Sequence, residues 1–388
     1  MVLFFHTWLW GDPAGDGFGL RPVDHTLRYF YLGVTVFFVL SGFLLYRPFV
    51  SAALRGQAMP DLRRYFLKRV LRIVPGFWLC VYSWSLLAYG GLPPLSENLK
   101  NFLFLQIYWP HSNASANLYW PNMTHAIIVP AWTLCLEISF YAALPLLALL
   151  IGRFARGGKT TNERVLRQFL ALSALVGAGL LYKALSLLYP WRLPVALPEV
   201  IDLFAIGMAL AVVVEWHSLR SFPQLGRRAV WTANLAAVAL LVVAAQVADR
   251  NVLPKPQSSG FATILFQPLI ALVAAVLIGA MLLAERKTLL LRFCSLRAMF
   301  WLGTISYGIY LWHLEIRLVA GTFMPDPHGQ PPLQAMAYWL AGSMAVLALT
   351  VGAAWLSWIG VERRMLALKG RVFDRTPTAT PAARPSAR

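Results

Sequence analysis

Apolar residues run along this chain in blocks of about 20, divided by short polar connections, and about 20 is the number an α-helix needs to cross the hydrocarbon core of a bilayer. Nine such blocks lie near 31–49, 74–92, 131–151, 168–188, 198–215, 229–248, 261–284, 299–320 and 335–358. Residues 1–10 supply a tenth, with roughly half the usual span, so the chain is expected to begin inside its first helix. The pattern predicts an all-α, polytopic integral membrane protein of about ten transmembrane helices. The membrane domain is expected over 1–365, and 366–388, ending in a Pro, Ala and Thr-rich run, is expected to be a disordered cytoplasmic tail. The connection 93–130 is long, and its apolar stretch FLFLQIYWP is expected to lie in the membrane interface beside Trp109 and Trp120. The start carries neither a basic n-region nor a small-residue cleavage site, so no cleavable leader is expected.

Composition agrees with the pattern. Hydrophobic residues make up 59% and charged residues 13%, against about a quarter charged in soluble domains. The net charge of +18 would suggest nucleic acid in a soluble protein. Its distribution argues otherwise. With the N-terminus in the cytoplasm and connections assigned alternately, 26 of the 34 Lys and Arg fall on cytoplasmic connections and the C-terminal tail. That is the positive-inside bias of an inner or plasma membrane protein with both termini cytoplasmic, attracted to anionic lipid. Cys80, Cys135 and Cys294 have no metal-type spacing, so no metal site and no disulfide framework are expected, and Cys80 and Cys135 read as small buried hydrophobes.

Ionisable side chains inside a span cost several kcal/mol unless paired, solvated or functional. His6, Glu137, Asp202, His313 and Glu315 are such residues. Counting ~1.5 Å per residue, His6, Glu137, Asp202 and His313 fall in the outer half of four different helices, a shared polar layer that suits a buried reaction centre or a permeation path. Asp202 and Glu315, nearer the interface, read as helix-packing groups. His25, His111, His125, His217 and His328 fall in or beside connections and read as solvated.

Four blocks in order carry a resemblance. They are Phe4-Phe5-His6-Thr7 followed by the run from Gly33 through Ser41-Gly42 to Leu45; Lys68-Arg69 with Arg72, entering the next helix; Trp132-Thr133-Leu134-Cys135-Leu136-Glu137 with Tyr141 and Pro145; and Ser306-Tyr307-Gly308-Ile309-Tyr310-Leu311-Trp312-His313. Together they resemble the acyltransferase-3 family of membrane O-acyltransferases, whose layout is also ten spans. The resemblance implies transfer of an acyl group, expected to be acetyl from acetyl-CoA, from an acyl-CoA donor to a hydroxyl of a carbohydrate or other metabolite. By the same resemblance His6 is the catalytic histidine that takes the hydroxyl proton. Glu137 would orient its imidazole or stabilise the charged form. Arg69 and Arg72, three residues apart on one helical face, would hold the donor's phosphates. Ser41, Gly42, Trp132, Tyr307 and His313 are candidate pocket residues; for Ser41-Gly42 helix packing is an equal reading, and the aromatic side chains around His313 read as packing and interface anchors.

Two departures stand out. The family's first helix carries a basic residue about three turns before the histidine, and this sequence begins five residues before His6. Val361-Glu362-Arg363-Arg364 resembles the family's Glu-Pro ending without its proline. The polar layer also suits a small-molecule or glycan transporter, although no internal repeat of the transporter kind is visible, and an inactive membrane scaffold is a third reading.

Overall fold

The computed structural model describes residues 1–11, 21–92, 95–105, 107–108, 129–189, 196–247, 261–286, 288–324 and 330–373. Trp109, Trp120, His111, His125 and His328 lie outside them, as does the tail beyond Phe373.

The named elements are all helical. Two short helices, α1 (Val2–Gly11) and α2 (Arg21–Arg28), lead into the long α3 (Gly33–Arg55) and α4 (Leu62–Tyr89), followed by the short α5 (Leu95–Phe102). Then come α6 (Trp132–Arg156), α7 (Thr161–Leu188), α8 (Leu197–Leu219), α9 (Arg227–Val247) and α10 (Phe261–Leu283). The short α11 (Leu289–Cys294) precedes α12 (Arg297–Gly321) and α13 (Pro332–Ser357), and α14 (Arg363–Phe373) ends the described chain.

Eight helical segments among the described residues are long and apolar enough to cross a membrane. They match eight of the ten expected blocks. Of the other two, α12 is 25 residues long, enough to span, but His313, Glu315 and Arg317 dilute its apolar character. The tenth, α1, has 10 residues. The helix α14 runs across residue 365, the expected end of the membrane domain, and ends at Phe373.

Local chemistry sets the ends. Asp61 caps α4 by accepting from the backbone N–H groups of Arg63 and Arg64, and Thr160 caps α7 by accepting from Glu163 N–H. Gly56 and Gly90, both with φ of 66°, terminate α3 and α4 in the left-handed region, where a glycine pays no Cβ penalty.

Packing divides the helices into two groups. In one, α8 is the hub: it packs on α3, α7 and α10, while α6 joins α7 and α3, and α9 lies on α10. The second group joins α12 to α13, α1 and α4, with α14 and the turn Trp358–Glu362 against α4. Lipid tails are as apolar as leucine, so helices in a bilayer associate through close backbone approach and polar contacts. Both occur in the first group. A Cβ at Gly42 would overlap the Phe204 carbonyl, and one at Gly207 would overlap the Val39 carbonyl, so α3 and α8 meet backbone to backbone. Lys183 of α7 donates to buried Asp202 of α8 at 2.6 Å. Near the other end of α8, Arg47 of α3 pairs with Glu215 at 2.8 Å. Cys80 and Cys135 are buried, as their apolar surroundings led us to expect.

Candidate active site

A cavity of about 460 Å³ runs between the two helical groups. Its wall follows α3 from Gly33 to Leu45, roughly 18 Å at ~1.5 Å per residue. One end is bounded by Arg69, Arg72 and Tyr141, the other by Val2, Gly33, Thr133 and Tyr310, with Ser41 and Glu137 between. Phe37 and Leu44 also line it and are exposed at the helix surface.

At the end nearest Val2, α1 and α12 bring two histidines together. His6 Nδ1 lies 2.8 Å from His313 Nε2, and His313 Nδ1 lies 2.7 Å from the Tyr310 carbonyl. A carbonyl only accepts, so His313 carries its proton on Nδ1. Its Nε2 is then an acceptor in the neutral ring, and His6 must donate to it from Nδ1. Elimination thus leaves His6 Nε2 with a free lone pair, the tautomer a general base requires. On α1, His6 stands one helical turn beyond the cavity-lining Val2, on the same face. The helix is held by Ser343, whose hydroxyl donates to Thr7 at 2.8 Å, and by Trp8 donating to Asp24 at 3.1 Å.

The expected orienting partner of His6 was Glu137; the partner observed is His313. Glu137 is buried and accepts hydrogen bonds from Ser41, at 3.3 Å, and from Tyr141. Thr133, Glu137 and Tyr141 follow at i, i+4 and i+8, so one stripe of α6 supplies the polar residues along the cavity. Asp202 is drawn away into its ion pair with Lys183, and Glu315 is buried with Oε2 lacking a hydrogen-bond partner among the described residues. The four outer-half groups therefore do not share one pocket.

Arg69 and Arg72 both reach the cavity. The Arg69 guanidinium lies over the rings of Tyr65 and Tyr141, 5.9 and 5.8 Å from their centroids. Its Nε has no hydrogen-bond partner among the described residues. A guanidinium braced on two aromatic faces with an unused donor is prepared for an oxyanion. Behind the pair, Glu362 is buried on a π-helical turn, accepts from Ser357 at 2.9 Å, and closes with Tyr307 on Gly76, where a Cβ would meet both side chains at 3.0–3.3 Å.

Among the other candidates, Ser41 and Tyr307 line the cavity, Tyr307 donating to the Ile73 carbonyl at 2.7 Å. His6, His313, Gly42 and Trp132 do not line it: the histidine pair sits next to Val2 and Tyr310, which do, Gly42 serves the α3–α8 crossing, and Trp132 packs on the core at the start of α6. Sequence reading missed Lys183, which sits inside a predicted span and whose partner Asp202 was singled out; it gave no role to Thr133 or Tyr141.

A sequence profile for the acyltransferase domain matches residues 1–359. The chain belongs to the acyltransferase-3 family. Among relatives of this family member, the peptidoglycan O-acetyltransferase OatA of Listeria monocytogenes is 25% identical over 304 residues, covering 74% of this chain and 44% of that protein. The putative peptidoglycan O-acetyltransferase YrhL of Bacillus subtilis is 26% identical over 297 residues, again 74% of this chain and 44% of the relative. Nodulation protein 10 of Rhizobium leguminosarum bv. viciae is 23% identical over 391 residues, covering 96% and 92%. The chain thus spans less than half the length of the two O-acetyltransferases and nearly all of the nodulation protein. No solved structure matches it.

Proposed function

We propose that this acyltransferase-3 protein moves an acyl group, acetyl in the simplest case, from acyl-CoA to a hydroxyl of an envelope glycan. The observation that carries the reading is the hydrogen-bond chain that leaves His6 Nε2 as a base, beside one end of a cavity whose other end is cationic. Arg69 and Arg72 belong to the positive-inside set, so their end faces the cytoplasm, in the plasma membrane of the cell. The donor's nucleotide docks on their guanidinium groups, and its flexible arm lies along the ~18 Å wall of α3, long enough to bring the thioester to the histidines. His6 accepts the acceptor's hydroxyl proton at Nε2, and His313, through the lone pair on its own Nε2, stabilises the imidazolium that forms. Glu137, midway along the wall, holds Ser41 and Tyr141 and offsets the charge of the arginines. A glycan acceptor is favoured because two relatives are named peptidoglycan O-acetyltransferases.

The test is transfer of label from radiolabelled acetyl-CoA into the envelope glycan fraction of membranes containing the protein. Wild type labels the glycan, and His6→Ala, inserted at the same level, does not. Full labelling by His6→Ala would remove the catalytic assignment.

A further inference from the structure

The acyl-transfer reading requires a donor for the negative charge that develops on the acyl carbonyl oxygen. We infer that the Tyr310 hydroxyl is that donor, released for the task by Thr133. The inference rests on the acyl-transfer reading and adds a catalytic residue to it.

Arg69 and Arg72 are badly placed for this role. Arg69 is stacked on Tyr141, eight residues or ~12 Å along α6 from Thr133, whereas the histidine pair stands at the Thr133 end. Of the hydroxyls lining the cavity, those of Ser41 and Tyr141 are committed to Glu137, that of Tyr307 to the Ile73 carbonyl and that of Ser306 to the Gly303 carbonyl. Thr133 and Tyr310 differ. Their oxygens are 2.7 Å apart, and they lie 3.1 and 3.0 Å from the same acceptor, the Pro130 carbonyl.

Two protons are therefore available to satisfy one buried carbonyl. When Thr133 donates to Pro130, Tyr310 can turn its proton into the cavity, and no buried acceptor is stranded, a loss that otherwise costs about 1–3 kcal/mol. Tyr310 is also fixed relative to the base, because its own carbonyl holds His313 Nδ1 and its ring centroid is 5.7 Å from that of His313. A neutral phenol on the cavity wall is an effective donor to charge that appears only in the transition state.

The step balances. The acceptor oxygen bonds to the thioester carbon as its proton passes to His6 Nε2, and the carbonyl π pair moves onto the oxygen facing Tyr310. The oxyanion then re-forms the carbonyl, the carbon–sulfur bond breaks, and the departing thiolate takes the proton back from His6.

Tyr310→Phe, Thr133→Val and Thr133→Ser are to be compared with wild type for kcat, donor KM, and protection from thermal unfolding by coenzyme A, a donor-site ligand that cannot react. Tyr310→Phe is expected to lower kcat by about 10²–10³-fold, with donor KM and protection within about twofold of wild type. Thr133→Val is expected to lower kcat by a smaller factor, because Pro130 then keeps the Tyr310 proton, and Thr133→Ser is expected to restore it. If Tyr310→Phe keeps kcat within about threefold while His6→Ala is inactive, the Tyr310 assignment is overturned and the acyl-transfer reading stands. Loss of coenzyme A protection in Tyr310→Phe would also overturn it, marking a packing defect. If His6→Ala is fully active, both fall. Should Tyr310→Phe fail to fold, the threonine pair decides: unchanged kcat in Thr133→Val refutes the release by Thr133.

Discussion

Adding one methyl group at Gly42 probes the crossing that holds α3 in place as a cavity wall. In Gly42→Ala the new Cβ overlaps the Phe204 carbonyl, and in Gly207→Ala the new Cβ overlaps the Val39 carbonyl. Both obstacles are backbone, so no rotamer change relieves them. Opening both overlaps to a tight but tolerable separation of ~3.2 Å requires the two helices to part locally by about 1 Å. A gap of that size forfeits a quarter to a half of each dispersion contact; on the order of thirty atom pairs at ~0.15 kcal/mol then lose about 2 kcal/mol. That agrees with the usual cost of overpacking, about 1–3 kcal/mol. Thermal unfolding in detergent, followed by monodispersity and tryptophan fluorescence, should show a clear fall in midpoint for each variant. The double variant should lose less than the sum, because one displacement accommodates both methyl groups. A midpoint for Gly42→Ala indistinguishable from wild type would refute the backbone-to-backbone crossing.

Two further outcomes are expected. Lys183→Met leaves Asp202 buried without its cation and should cost about 3–5 kcal/mol by the same unfolding measurement, while Lys183→Met with Asp202→Leu should recover most of the loss. Arg69→Gln and Arg72→Gln should each raise donor KM in the labelling assay by roughly tenfold or more, as loss of a charge-assisted hydrogen bond would give, with a smaller effect on kcat; an unchanged KM in both would remove their role.

Spans and basic connections were legible in the sequence because both are written in local composition: a helix in lipid must be apolar over its length, and its flanking charges need no partner to be seen. The helices that escaped the rule have physical reasons. In α12, His313 of the site dilutes the apolar run together with Glu315 and Arg317, and α1 is short. Side-chain partners were less legible. His6 and Glu137 stand out singly as intramembrane polar residues, but which of His313 and Glu137 reaches His6 depends on how α1, α6 and α12 rotate about their axes, and no local pattern records that. The polar stripe of Thr133, Glu137 and Tyr141 was readable from its spacing, since i, i+4 and i+8 share a helical face. Gly42 could not be separated from Ser41 by position alone. One residue of rotation, about 100°, turns Ser41 toward Glu137 and Gly42 toward α8.

Phe37 and Leu44 give the cavity wall an edge that meets the bilayer. The passage is accordingly open along one flank of α3 and not an enclosed bore. In a bilayer, lipid chains complete that flank, and in detergent the micelle takes their place.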